Sequence, residues 1–364
     1  MDTRNDTYLK PFGSLQLIAI IAVVIGHFAV KEPAFINSHW VSFCFVYSGL
    51  FTAIRHRFGQ DYGLRDHFHF MGDKLAKLYP LHLLALALGL FDAWLVWGNS
   101  TINLKVLFSQ LTLTSPWIHD PDYYFAINPV AWFCCDLFFL YLTAPLVVKL
   151  LRLMSISWQI ALIIALLTLE FAAGFSPADG SRTPILGMYH LYQFPPIRLL
   201  DYGTGIILYN ITREPWWNRA RKRLTAATAT TIEIGGIAAF VLLYMIEEAH
   251  LFGYCYRAYC VMAPGIAVLL ATFLLTSGMG GLVSSILSLS SLTLLKKTGA
   301  EIYLLQFGVY FMLWPVFNHL GLERYDMRQF IPYLAVLLAV SWLVHRYYVL
   351  PAGRWLKSVR DRLP

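Results

Sequence analysis

The feature that most restricts this chain is a succession of apolar runs, each close to the length of a bilayer crossing. A spanning helix needs roughly 20 mostly apolar residues, with a range of about 17–25. Candidate spans lie at 13–30, 40–56, 77–97, 128–148, 157–175, 196–212, 225–246, 258–277, 298–318 and 329–349. They leave room for little else. The expected fold is all-α: a polytopic membrane protein of about ten transmembrane helices in one bundle, with residues 1–364 forming a single domain. The sixth run is the weakest, because Pro195, Pro196, Arg198 and Asp201 interrupt its start. The first run, from Phe12 to Val30, has no small-residue cleavage site and is expected to stay as a span. The longest polar stretch, Gly98–Asn128, is expected outside the membrane, with Leu104–Leu113 as a short interfacial helix.

Composition agrees with this reading. Charged residues make up 13% of the chain and hydrophobic residues 58%. Soluble domains carry roughly 25% charged residues. The net charge of +7 would suggest nucleic acid in a soluble protein. Here its placement matters more, because basic residues favour the cytoplasmic side of a membrane. With ten spans and the N-terminus inside, 21 of the 28 basic residues fall inside, leaving Lys31, Lys105, Arg182, Arg198, Arg257, Arg324 and Arg328 outside. Both termini are therefore expected in the cytoplasm, and no nucleic-acid partner is expected. The five cysteines lie mostly in apolar runs without paired spacing, so neither a disulfide framework nor a metal site is expected.

Polar residues inside spans are costly and are functional candidates for that reason. His27 stands in the first run and is a candidate general base, against the plainer reading of a histidine satisfied by a neighbouring helix. Gln16 lies eleven residues earlier, nearly on the same helix face and about 16 Å along the axis. Asp136 stands alone in WFCCDLFFLY and needs a partner or a proton. It is either half of a structural pair or the carboxylate that supports His27. Tyr303 and Gln306 share a face three residues apart and serve either as pocket lining or as polar glue between helices. Arg55, Arg57, Lys74 and Lys77 follow the second run and read either as positive-inside charge or as a phosphate site.

Several of these segments together resemble the bacterial integral-membrane acyltransferase-3 family. FGSLQLIAIIAVVIGHF resembles its first span, in which an arginine precedes a histidine. Here Gln16 replaces the arginine and His27 keeps the histidine. FCFVYSGLF resembles the second span, and FMGDKLAKLYPLHLL the following pair of basic residues, with Lys74 and Lys77 in place of arginines. PVAWFCCDLFFLYLTAPL resembles the segment running from tryptophan to glutamate, with Asp136 for the glutamate. PPIRLLDYGTGIIL resembles the entry to a later span, through Arg198. TGAEIYLLQ resembles a Tyr-Leu-Leu-His segment, with Gln306 for the histidine, and YYVLPAGRWLK fits the closing segment.

The resemblance implies a transferase in the bacterial cytoplasmic membrane that moves an acyl group, most often acetyl, from cytoplasmic acyl-CoA. The acceptor would be a hydroxyl of a glycan or lipid-linked glycan of the cell envelope. It implies His27 and Asp136 as catalytic residues. Gln16, Tyr303, Gln306 and Arg198 would contact substrate, Arg55, Arg57, Lys74 and Lys77 would hold the CoA donor, and no metal is required. Two other readings stay open: a transporter or flippase of glycan units, and a non-catalytic partner in an envelope-synthesis complex.

Overall fold

A computed structural model describes residues 9–28, 35–56, 58–59, 61–98, 103–174, 185, 187, 189–248, 258–289, 295 and 297–362. Among them the regular structure is helical. In chain order we label α1 Lys10–Phe28, α2 Phe35–Arg55, α3 Leu64–Trp97, α4 Leu104–Leu111, α5 Trp132–Arg152, α6 Ile156–Gly174 and α7 Arg198–Thr212. Then follow α8 Pro215–Lys222, α9 Ala226–Glu248, α10 Ala258–Thr276, α11 Leu282–Leu287, α12 Gly299–His319, α13 Met327–Val344 and α14 Leu350–Arg360.

Each of the ten expected runs falls on one of these helices. Among the described residues, seven stretches are long and apolar enough to cross a bilayer: Lys10–Phe28, Leu64–Trp94, Trp132–Arg152, Ile156–Gly174, Ala226–Met245, Gly299–His319 and Met327–Arg360. The interrupted sixth run becomes α7, only 15 residues long. Its first turn holds Arg198 and Asp201 as a buried pair, so those two charges are satisfied within protein.

Helix α2 lies at the heart of the bundle, and its most extensive packing is against α7. Glycines allow the close approach. A Cβ on Gly49 would collide with the carbonyl oxygen of Tyr202, and one on Gly205 with that of Val46. Without a hydrophobic drive between helices in lipid, such small-residue contacts supply the packing. Helix α12 rests on α3, α1 and α13. Prolines inside α3, α5, α10, α12 and α13 are tolerated where neighbouring helices take up the freed backbone groups.

Part of the Gly98–Asn128 stretch packs against the bundle. Its helix α4 starts at an Asn103 cap and ends at Leu111, close to the expected boundary. The segment then runs back along α3 into the bundle. Tyr79 donates to the Leu111 carbonyl at 2.9 Å, and His82 meets the Gln110 carbonyl at the same distance. Gln110 is fully buried and donates to the Tyr123 carbonyl at 2.7 Å. Tyr189 donates to the Pro116 carbonyl, and Trp117 packs edge-on against Phe139. Irregular backbone packed against the bundle is tolerated because protein groups satisfy its polar atoms. Ser109, Gln110 and Ser115 of the stretch are buried, while Lys105, Thr112, Thr114, His119 and Asp122 are exposed.

Candidate functional site

The ends of α1, α2, α3 and α12 that carry basic residues converge on one cavity of about 540 Å³. Lys10, Arg55, Lys74, Lys77 and Lys297 line it, and among the described residues no Asp or Glu does. Lys74 is held in place by rings: its Nζ lies 4.4 Å from the Tyr141 centroid and 5.1 Å from that of Phe70. Arg55 stacks over Phe51 at 5.0 Å. Such contacts orient a cation while leaving its hydrogen-bond donors for a ligand. Deeper in, Gln16, Ser48 and Tyr303 continue the wall. Half-buried His56, at the mouth beside Lys74, is pushed down to about 4 by burial and then by the Lys74 charge. Arg57 lies outside the described residues.

His27 sits elsewhere. It lines a separate crevice of about 10 Å³ with Val24, Phe28, Gln306, Phe307, Tyr310, Tyr325 and Tyr333. That is space for about one water. The two spaces are joined through α12: Tyr303 faces the cavity and Gln306 the crevice, three residues or roughly 4.5 Å apart along the axis.

The hydrogen bonds fix the state of the imidazole. Gln306 Nε2 donates to the Tyr303 carbonyl at 2.8 Å, which can only accept. Gln306 Oε1 therefore faces His27, and His27 Nδ1 lies 2.9 Å from it. An amide oxygen cannot donate, so Nδ1 carries the hydrogen and Nε2 is left as the basic nitrogen. Phe307 packs on the ring at 5.2 Å between centroids.

Asp136 is fully buried, and neither carboxylate oxygen has a hydrogen-bond partner. No bond joins it to His27; the orienting position that sequence reasoning offered it is taken by Gln306. Its electrostatic neighbour is Arg198. Arg198 is buried and donates to Asp201 at 2.7 Å, to the Tyr192 carbonyl at 2.9 Å and to Ser42 at 3.1 Å. It is absent from the lining of both spaces. The structure thus gathers Gln16, Tyr303, Arg55, Lys74 and Lys77 around the cavity, puts His27 and Gln306 together in the crevice, and sets Asp136 and Arg198 in the core. Sequence reasoning missed Lys10 and Lys297 as site residues, having counted them only as inside charge.

A helical bundle with several candidate membrane spans thus carries a cation-lined cavity next to a half-buried imidazole. The chain belongs to the acyltransferase-3 family, whose acyltransferase-domain model matches residues 13–346. It is also similar to the acyltransferase MdmB of Streptomyces mycarofaciens, with 27% identity over 161 residues. That match covers 40% of this chain and 40% of the length of the relative. No solved structure matches the chain.

Proposed function

We propose that this protein is a bacterial inner-membrane O-acyltransferase. It takes an acyl group, most often acetyl, from acyl-CoA on the cytoplasmic side and places it on a hydroxyl of a glycan or lipid-linked glycan. Ten crossings with both termini in the cytoplasm complete the reading. The observation that carries it is the cavity walled by Lys10, Arg55, Lys74, Lys77 and Lys297, with no acidic residue among the described ones, one helical turn from the crevice of His27.

In this scheme the phosphates of the donor rest on Lys74, Lys77 and Arg55, and its acyl arm passes Gln16 and Tyr303 toward Gln306. His27 Nε2 takes the proton of the acceptor hydroxyl. The oxygen attacks the thioester carbonyl, an O–C bond forms and the C–S bond breaks. The CoA thiolate leaves and takes the proton back from the imidazolium, so ester and free thiol are the products. Asp136 has no hydrogen bond to His27, so it takes no direct part in this scheme.

The test uses purified protein in lipid nanodiscs, acetyl-CoA labelled in the acetyl group, and an oligosaccharide acceptor. Label in the acceptor together with release of CoA thiol is the expected result. Thiol release no faster than that of His27→Ala, with no labelled acceptor, would overturn the proposal.

A further inference from the structure

The cavity wall carries one ionisable group of a different kind. His345 lines the cavity from the first position of a π-helical turn, His345–Val349, which joins α13 to α14. π-turns insert a residue and re-aim side chains, and they recur at functional sites. His345 Nδ1 lies 2.7 Å from Glu301 Oε1. Glu301 stands in the first turn of α12, is 3% exposed and does not itself line the cavity. Its second oxygen has no hydrogen-bond partner. A buried carboxylate is costly to keep. Here it has one polar contact, and that contact fixes a ring on the cavity wall.

The surroundings supply the rest of the case. The Glu301 charge also acts on Lys77. Tyr348 donates to the Pro80 carbonyl at 3.2 Å, and a Cβ on Gly353 would crowd the Ala76 carbonyl. The turn that bears His345 is thereby fastened to α3, the helix that bears Lys74 and Lys77. Besides Glu301, the charged groups on the surrounding elements include Lys74 and Lys77 from α3, Lys10 from α1, Arg55 from α2, Lys297 before α12, Arg346 of the turn itself, and Asp73 of α3, which pairs with Lys357 and Arg360 of α14 and acts on Lys74. The cations repel one another until an anion enters.

We propose that Glu301 and His345 form a phosphate-binding element of the donor site. His345 donates Nδ1–H to Glu301 and Nε2–H to a phosphoryl oxygen of the acyl-nucleotide. Glu301 is a positioning residue that acts through His345. This rests on the acyl-CoA reading above and adds to it a specific phosphate contact.

The test compares acetyl-CoA with acetyl-pantetheine, which lacks the phosphates, in phosphatidylcholine nanodiscs. For His345→Gln and Glu301→Gln the KM for acetyl-CoA should rise roughly tenfold, the scale of one hydrogen bond to a charged group. Their kcat should stay within about twofold, and acetyl-pantetheine kinetics should not change. His345→Arg should restore most of the acetyl-CoA affinity. Equal losses for both thioesters, or unchanged kinetics in folded variants, overturn the assignment. A variant effect seen only in phosphatidylglycerol nanodiscs assigns the pair to a lipid headgroup and also overturns it. If the wild type binds no coenzyme A, the acyl-CoA reading falls together with this one. Wild-type binding with no difference in the variants removes only the phosphate element.

Discussion

The basic cavity and the His27 crevice lie about one helical turn apart and are built on opposite principles. The cavity is wide, and its polar groups are cations held over rings, such as Lys74 on Tyr141 and Arg55 on Phe51. The crevice has space for about one water, and its lining is aromatic apart from His27, Val24 and Gln306. Charge attracts and holds an anion at long range and tolerates solvent. A proton transfer needs a fixed geometry and gains from a dry surround, where each hydrogen bond is stronger. The contrast teaches that an amide can orient an imidazole: Gln306 fixes the His27 tautomer without bringing a charge into the crevice.

The largest expected effect falls on the crevice. His27→Ala should lower kcat by about 10²–10⁴, the usual scale for losing a general base. Size-exclusion profile and thermal stability should stay near those of the wild type. Wild-type kcat in the folded variant would break the division of labour, because the imidazole would then be a packing group.

Next comes the cavity. Lys74→Glu with Lys77→Glu should raise the KM for acetyl-CoA by about 100-fold or more, since two charge-assisted hydrogen bonds of about 1.5–3 kcal/mol each are lost. The kcat should move little, and the wild-type KM should climb with ionic strength more steeply than that of the double variant. A fall in kcat with unchanged KM would make the two regions one.

Gln306→Ala should cost less, roughly 2–10-fold in kcat, as expected for one neutral hydrogen bond of about 0.5–1.5 kcal/mol. If the amide works only by orienting His27, adding it to His27→Ala should cost almost nothing more. Additive losses measured in that double variant would give Gln306 an independent role.

The smallest effect concerns His56 at the cavity mouth. Burial and the Lys74 charge lower it from an ordinary 6.5 to about 4. Between those values the unfolded chain binds a proton that the folded one does not, so the contribution of His56 is present above pH 6.5 and lost as pH falls toward 4. Melting temperature followed from pH 7 to 4.5 should drop less for His56→Gln than for the wild type. Parallel curves would remove His56 from the electrostatics of the mouth.

Much of this protein is written along the chain. Apolar run length and charge scarcity give a helical membrane protein, and each expected run coincides with a helix, because hydropathy over some 20 residues is a local property that lipid reads directly. His27, Lys74 and Lys77 were legible because polar groups stand out against an apolar background. Their neighbours were not. That Gln306 and not Asp136 bonds His27, that Glu301 reaches His345 across 44 residues, and that Lys10 and Lys297 share a wall with Lys74 all depend on how helices turn and approach one another. Residues 109–116 carry the same lesson: Ser109, Gln110, Ser115 and Pro116 are buried, and the carbonyls of Gln110, Leu111 and Pro116 accept hydrogen bonds from His82, Tyr79 and Tyr189. The sequence by itself determined which segments enter the membrane and which polar residues enter with them. Only the tertiary structure decided who satisfies whom, since a buried polar group bonds to whichever partner packing brings within about 3 Å.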